Sequence, residues 1–232
     1  MYINNLLYIH IPKTAGLSVE YELNRLYNPY DNNMWYYMIV ENSPNIIKYL
    51  YFYCEWFRKI IHYILYDVGP LKNCTLRFNN DTISMHYNIF DYMQYIKKDV
   101  FNNMIKFTIV RNPYDRAVSL FRFIYPSFIQ NKKNFMIFLN DIKTGKLNNT
   151  FFATQYSYII DMDKNVTVID ILKFENLQTD WLNLCIKYNI PSQQLPKINF
   201  NNREKMDLLD DMSKSLIYNI YEQDFIFFNY YE

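Results

Sequence analysis

Two short segments of this 232-residue chain combine residue types that hold anions. The first is His10-Ile11-Pro12-Lys13-Thr14-Ala15-Gly16-Leu17-Ser18, which lies between the apolar run 6–11 and a stretch of helical periodicity. A strand-to-helix turn aims unpaired backbone N–H groups and the positive end of a helix dipole at one point, the usual basis of a phosphate site. Lys13 would add a point charge there, Thr14 and Ser18 hydroxyl donors, and Gly16 a close approach of the backbone. The order differs from the GxxxxGK[ST] phosphate loop, because Lys13 precedes the glycine instead of following it. The same residues also suit a basic turn with one glycine and no ligand.

The second segment runs Phe107-Thr108-Ile109-Val110-Arg111-Asn112-Pro113-Tyr114-Asp115-Arg116-Ala117-Val118-Ser119. Asn112 is a helix N-cap type, Pro113 suits the first helical position, and Asp115 falls where a capping box needs an acid. Arg111 therefore projects from a strand end that a capped helix holds in place. Ser119, two turns into that helix, can share an anion with Arg111. The alternative is a helix cap with a surface arginine and a packed serine.

Hydrophobic periodicity supplies the elements that must position these loops. Residues 6–11, 107–110 and 166–172 read as buried strands, and 75–78 and 83–87 as short ones. Helical spacing covers 17–27, 46–66, 89–104, 114–125, 175–188 and 203–224. Strands alternating with helices predict an α/β fold with a central parallel sheet flanked by helices, and ligands in such sheets sit beyond the strands' carboxyl ends. Both loops lie at such ends. No repeat or linker divides the chain, so residues 1–232 are expected to form a single domain.

Composition narrows the function classes. The chain is 50% hydrophobic, which excludes intrinsic disorder, and 24 Lys+Arg against 23 Asp+Glu leave a net charge of +1. That gives no field of the kind that holds a protein on nucleic acid, so an anion must be held locally. Cys54, Cys74 and Cys185 lack metal spacing and read as free thiols of a reducing compartment. Sequons at Asn73, Asn80, Asn148 and Asn165 matter only on secretion, and the first residues lack the basic region and cleavage site of a signal peptide. The most lipid-like stretch, 46–66, contains Lys48, Glu55, Arg58, Lys59 and His62, which argues against a span. A cytoplasmic location is expected, and the abundance of Asn, Ile, Lys and Tyr suggests an AT-rich genome.

Taken together, the two loops resemble those of sulfotransferases that use 3'-phosphoadenosine 5'-phosphosulfate (PAPS). The similarity is to the carbohydrate O-sulfotransferase branch that includes heparan sulfate 2-O-sulfotransferase and bacterial and viral relatives. Its IPKTxGxS loop is matched by Ile11 to Ser18, and its RNPYDRxxS segment by Arg111 to Ser119. The resemblance continues through Gln155-Tyr156-Ser157-Tyr158-Ile159, Lys173-Phe174-Glu175-Asn176-Leu177 and Tyr221-Glu222-Gln223-Asp224-Phe225. It departs at Lys173, where the family often has Arg, and at Leu17, where a small residue is usual. The resemblance implies a P-loop-like sulfotransferase fold. It assigns the 5'-phosphosulfate to Lys13, Thr14, Ala15, Gly16, Leu17 and Ser18, and the 3'-phosphate to Arg111 and Ser119. PAPS would be the donor, PAP the product and a carbohydrate or other hydroxyl the acceptor, with no metal and no nucleic acid involved. Lys13 would stabilise the leaving phosphate oxygen.

The acceptor hydroxyl must also lose a proton. His86 is the candidate base, its position resembling that of the family's catalytic histidine; a structural histidine at a strand end is the alternative. Glu20 and Glu22 are weaker candidates, while His10 and His62 read as packing or surface residues. A nucleotide kinase would normally show Walker order and an acidic magnesium ligand after a second strand. A binding protein that keeps PAP or a glycan without turnover is the other rival.

Overall fold

A computed structural model describes residues 2–3, 5–27, 77–78, 81–82, 86–125, 129–192, 194–196 and 208–230. The helix expected over 46–66, and parts of the segments expected over 75–78, 83–87 and 203–224, lie outside these residues. The main sheet has four strands: β1 (Tyr2–Ile3), β2 (Leu6–Ile9), β5 (Ile105–Val110) and β6 (Asp170–Lys173), in the order β1-β2-β5-β6. β2, β5 and β6 run parallel and β1 is an antiparallel edge. Register pairs Ile9 with Thr108 and Val110 with Lys173, so the carboxyl ends of all three parallel strands open on one edge. β3 (Arg77–Phe78) and β4 (Asp81–Thr82) form a separate two-stranded hairpin.

Alternation along the strands builds a core on each face. Leu6, Tyr8, Phe107 and Ile109 pack with Val19 and Leu23 of α1 (Gly16–Tyr27) and with Trp181, Leu184 and Cys185 of α6 (Leu177–Tyr188). Leu7, Ile9 and Val110 face the other way. Their partners come from α2 (Ile89–Tyr95), α3 (Lys98–Asn103), α4 (Pro113–Ile124), α5 (Lys132–Lys143) and α7 (Asp211–Phe227). The fold is thus α/β, a parallel sheet between helices.

Several boundaries differ from expectation for local reasons. Residues 89–104 form two helices because Ile96 turns to extended backbone (φ −101°, ψ 130°) and buries its side chain. Residue 86 lies in a turn, not a strand, and Asn88 starts α2 with a capping box to Asp91. The sixth strand begins at Asp170 rather than 166: Val166 bridges back to Ile160, and Thr167 donates to Ile159 O. Asp210 caps α7, so the closing helix begins at Asp211. Helix α5 was not expected from periodicity; Phe135, Phe138 and Leu139 nevertheless keep helical spacing and are buried.

Candidate functional site

The turn after β2 carries two left-handed residues, Lys13 (φ 67°) and Ala15 (φ 72°). Turns of this kind are a common backbone setting for anion binding, and the two residues cost about 1–2 kcal/mol each because neither is glycine. Gly16 is not one of them. A Cβ at Gly16 would stand 2.1 Å from His10 Nε2, so the glycine makes room for a buried imidazole. The buried Thr14 hydroxyl donates to Ile11 O at 2.9 Å and so serves the turn itself. Leu17 and Ser18 open α1, where Ser18 N–H donates to Ala15 O. The Lys13 ammonium lies over the Phe123 ring, 4.2 Å from its centroid.

His10, 4% exposed, donates from Nδ1 to Glu20 Oε1 at 3.0 Å, which places one candidate carboxylate beneath the loop. The other, Glu22, is held elsewhere by two bonds from Arg25 and one from Ser192. His62 lies outside the described residues. His86 comes directly to the loop: its ring meets that of His10 at 4.7 Å and that of Phe151 at 5.5 Å. Its Nδ1 lies 3.3 Å from His10 O, and a carbonyl can only accept, so the proton of the neutral ring sits on Nδ1 and the lone pair on Nε2. Burial, with help from His10 and Lys13, lowers the His86 pKa to about 3.

Arg111 follows the last residue of β5. Its Nη1 donates to Lys13 O at 3.4 Å, joining the two loops, and its guanidinium stacks on Phe174 at 4.2 Å. Burial lowers its pKa, opposed by Asp115 and Glu175. Its buried Nε has no hydrogen-bond partner among the described residues. A largely desolvated cation with an unused donor, bonded to the turn after β2, fits an anionic ligand such as a phosphate. Ser119 is half-buried on α4. Asn112 caps α4 by accepting from Tyr114 N–H, as expected, but its own N–H donates to Glu175 Oε1, not to Asp115.

Four residues that hold the site had no assigned role. Arg116, 1% exposed, donates to Pro12 O, Ala153 O and Phe151 O at 3.1, 2.9 and 3.3 Å. Gln155 pairs with the Arg111 backbone, Asp224 accepts from the N–H groups of Gln155 and Tyr156, and Glu175 accepts from both Asn112 and Tyr230. All four fall in segments that carry the family resemblance, which was the available signal; their partners are too distant in sequence to be read from spacing.

Among the described residues no three His, Cys, Asp or Glu side chains gather as a metal site, and no helix is long and apolar enough to cross a membrane. Cys185 is a buried free thiol, raised by burial to about 11.

A parallel sheet with a turn of left-handed residues after its first parallel strand, and a half-buried arginine after its second, is an α/β arrangement whose strand ends suit an anionic ligand. The chain belongs to the sulfotransferase family, whose model matches residues 3–231. Comparison with curated proteins and with solved structures gave no match.

Proposed function

We propose that this sulfotransferase takes its sulfonate from PAPS and transfers it in line to the hydroxyl of a carbohydrate. The observation that supports this reading is the meeting of His86, the Lys13–Gly16 turn and Arg111 at one edge of the sheet. Arg111, with Ser119 further along α4, is the proposed holder of the 3'-phosphate, and the turn from Lys13 to Ser18 that of the 5'-phosphosulfate. When bound, PAPS supplies the sulfonate and a phosphate leaving group on which negative charge grows. Lys13 and the loop N–H groups stabilise that charge where it develops. His86 Nε2 takes the acceptor proton. With a pKa of about 3 the imidazole is neutral but a weak base. Anionic charge nearby offsets the lowering that Lys13 adds and so strengthens the base, against the burial that is the main cause of its low pKa.

The test is turnover of labelled PAPS against a panel of glycans and small hydroxyl acceptors, with mass analysis of products. Wild type should form sulfated carbohydrate, and His86→Ala should lose ~10²-fold or more in turnover while keeping its PAP affinity. Transfer of phosphate from ATP in place of sulfonate, or wild-type turnover in His86→Ala, would overturn the donor or the base respectively. PAP binding without turnover on any acceptor would favour a binding protein.

A further inference from the structure

Arg111 stands one residue beyond β5. Strand pairing ends at Val110 with Lys173 on one side and at Thr108 with Ile9 on the other, so neither neighbouring strand satisfies the Arg111 backbone. The side chain of Gln155 does so. Arg111 N–H donates to Gln155 Oε1 at 2.8 Å, and Gln155 Nε2 donates to Arg111 O at 2.8 Å. Only a side-chain amide offers a donor and an acceptor in this arrangement, and here it extends the ladder by one residue. Gln155 is fully buried, and its own backbone is fixed in turn: its N–H donates to Asp224 Oδ2 at 2.9 Å, and the Tyr156 N–H donates to Asp224 Oδ1 at 2.8 Å. Buried Asp224 is held on α7, where the charge of Arg116 opposes the rise that burial imposes on its pKa.

We infer that Gln155, carried by Asp224, is a positioning residue that sets the direction of the Arg111 guanidinium and with it the preference for a nucleotide bearing a 3'-phosphate. This rests on the PAPS reading above. Without the amide, Arg111 would keep its charge and its contact with Phe174, while the backbone from which it projects would lose both its bonds. The nucleotide's 5' side is held by the turn after β2, which Arg111 meets only through one 3.4 Å bond to Lys13 O, so it should change far less.

The experiment is calorimetric titration of wild type, Gln155→Met and Asp224→Asn with PAP and, separately, with AMP, which lacks the 3'-phosphate. Methionine keeps the length and packing of Gln155 and removes both bonds; asparagine at 224 keeps one acceptor of two. Wild type should prefer PAP to AMP. The ratio of PAP to AMP affinity should fall 10-fold or more in Gln155→Met and by a smaller factor in Asp224→Asn, with AMP affinity within about twofold of wild type. A general loss of structure would weaken both nucleotides together. An unchanged ratio in a folded Gln155→Met protein overturns the inference. So does failure of both variants to fold, because the bonds would then serve the fold rather than the site. If wild type shows no preference for PAP, the donor reading itself fails, a result distinct from either.

Discussion

A methyl group at position 16 has no room while His10 stays where it is. The nearest atoms to a Cβ there are His10 Nε2 at 2.1 Å and Cδ2 at 2.2 Å, and the imidazole is fixed at its other nitrogen by buried Glu20. Gly16→Ala should therefore destabilise the protein by about 1–3 kcal/mol, the range for overpacking a buried site. Chemical denaturation of the four proteins in a cycle with His10→Ala checks the cause: in the His10→Ala background the cost of Gly16→Ala should largely vanish. Equal costs in both backgrounds would mean that the glycine is needed for something other than the ring. This pair also marks how far residues were legible in the sequence. Lys13, Arg111 and His86 reach one edge of the sheet because strand ends, a cap and a turn place each of them locally. Gly16 was legible as a requirement and not as a reason, since the space it leaves is filled by a side chain that only the folded loop brings over it. His86 was placed on a strand, whereas its position depends on the Asn88–Asp91 capping box just after it.

At the scale of elements, one side chain ties three of them. Arg116, in the first turns of α4, reaches the Pro12 carbonyl in the turn after β2 and the Phe151 and Ala153 carbonyls of the segment that leads into Gln155. Removing it leaves the buried Pro12 carbonyl and the part-buried Phe151 and Ala153 carbonyls without their donor. Arg116→Met should cost about 1–3 kcal/mol, the scale for leaving buried hydrogen-bonding groups unsatisfied. Thermal and urea unfolding measure the loss, and a change below about 1 kcal/mol would show that solvent replaces the guanidinium. Such ties explain which parts of the architecture were readable. The parallel strands and α1, α4 and α6 follow from runs, caps and periods contained within a dozen residues. The contacts that hold Arg111 span sequence separations of 44 and, from Gln155 to Asp224, 69 residues, so no local pattern encodes them. The late start of β6 is likewise a competition, between pairing with β5 and the bridge from Val166 to Ile160, that composition alone does not decide.

Across the whole molecule the two cores are not independent, because β2 and β5 feed alternate side chains into both. Leu6, Tyr8, Phe107 and Ile109 belong to one face and Leu7, Ile9 and Val110 to the other, so melting either core removes the backbone that supports its opposite. We expect residues 1–232 to unfold as one domain in a single cooperative transition. The candidate site bridges the same strands: the Lys13–Gly16 turn follows β2, Arg111 follows β5, and α7 reaches Arg111 through Asp224 and Gln155. A nucleotide that spans the turn after β2 and Arg111 after β5 draws on both strand ends, so its binding energy adds to the stability of the entire fold rather than to one loop. At a PAP concentration 100 times its dissociation constant the gain should be about 2.7 kcal/mol. For a domain of this length that is roughly 5–10 °C in melting temperature. Differential scanning calorimetry with and without PAP reads both parts at once. One peak that moves upward as a unit is the expected result. Two peaks, of which PAP moves one, would show that the chain divides into units and that the site belongs to only one of them.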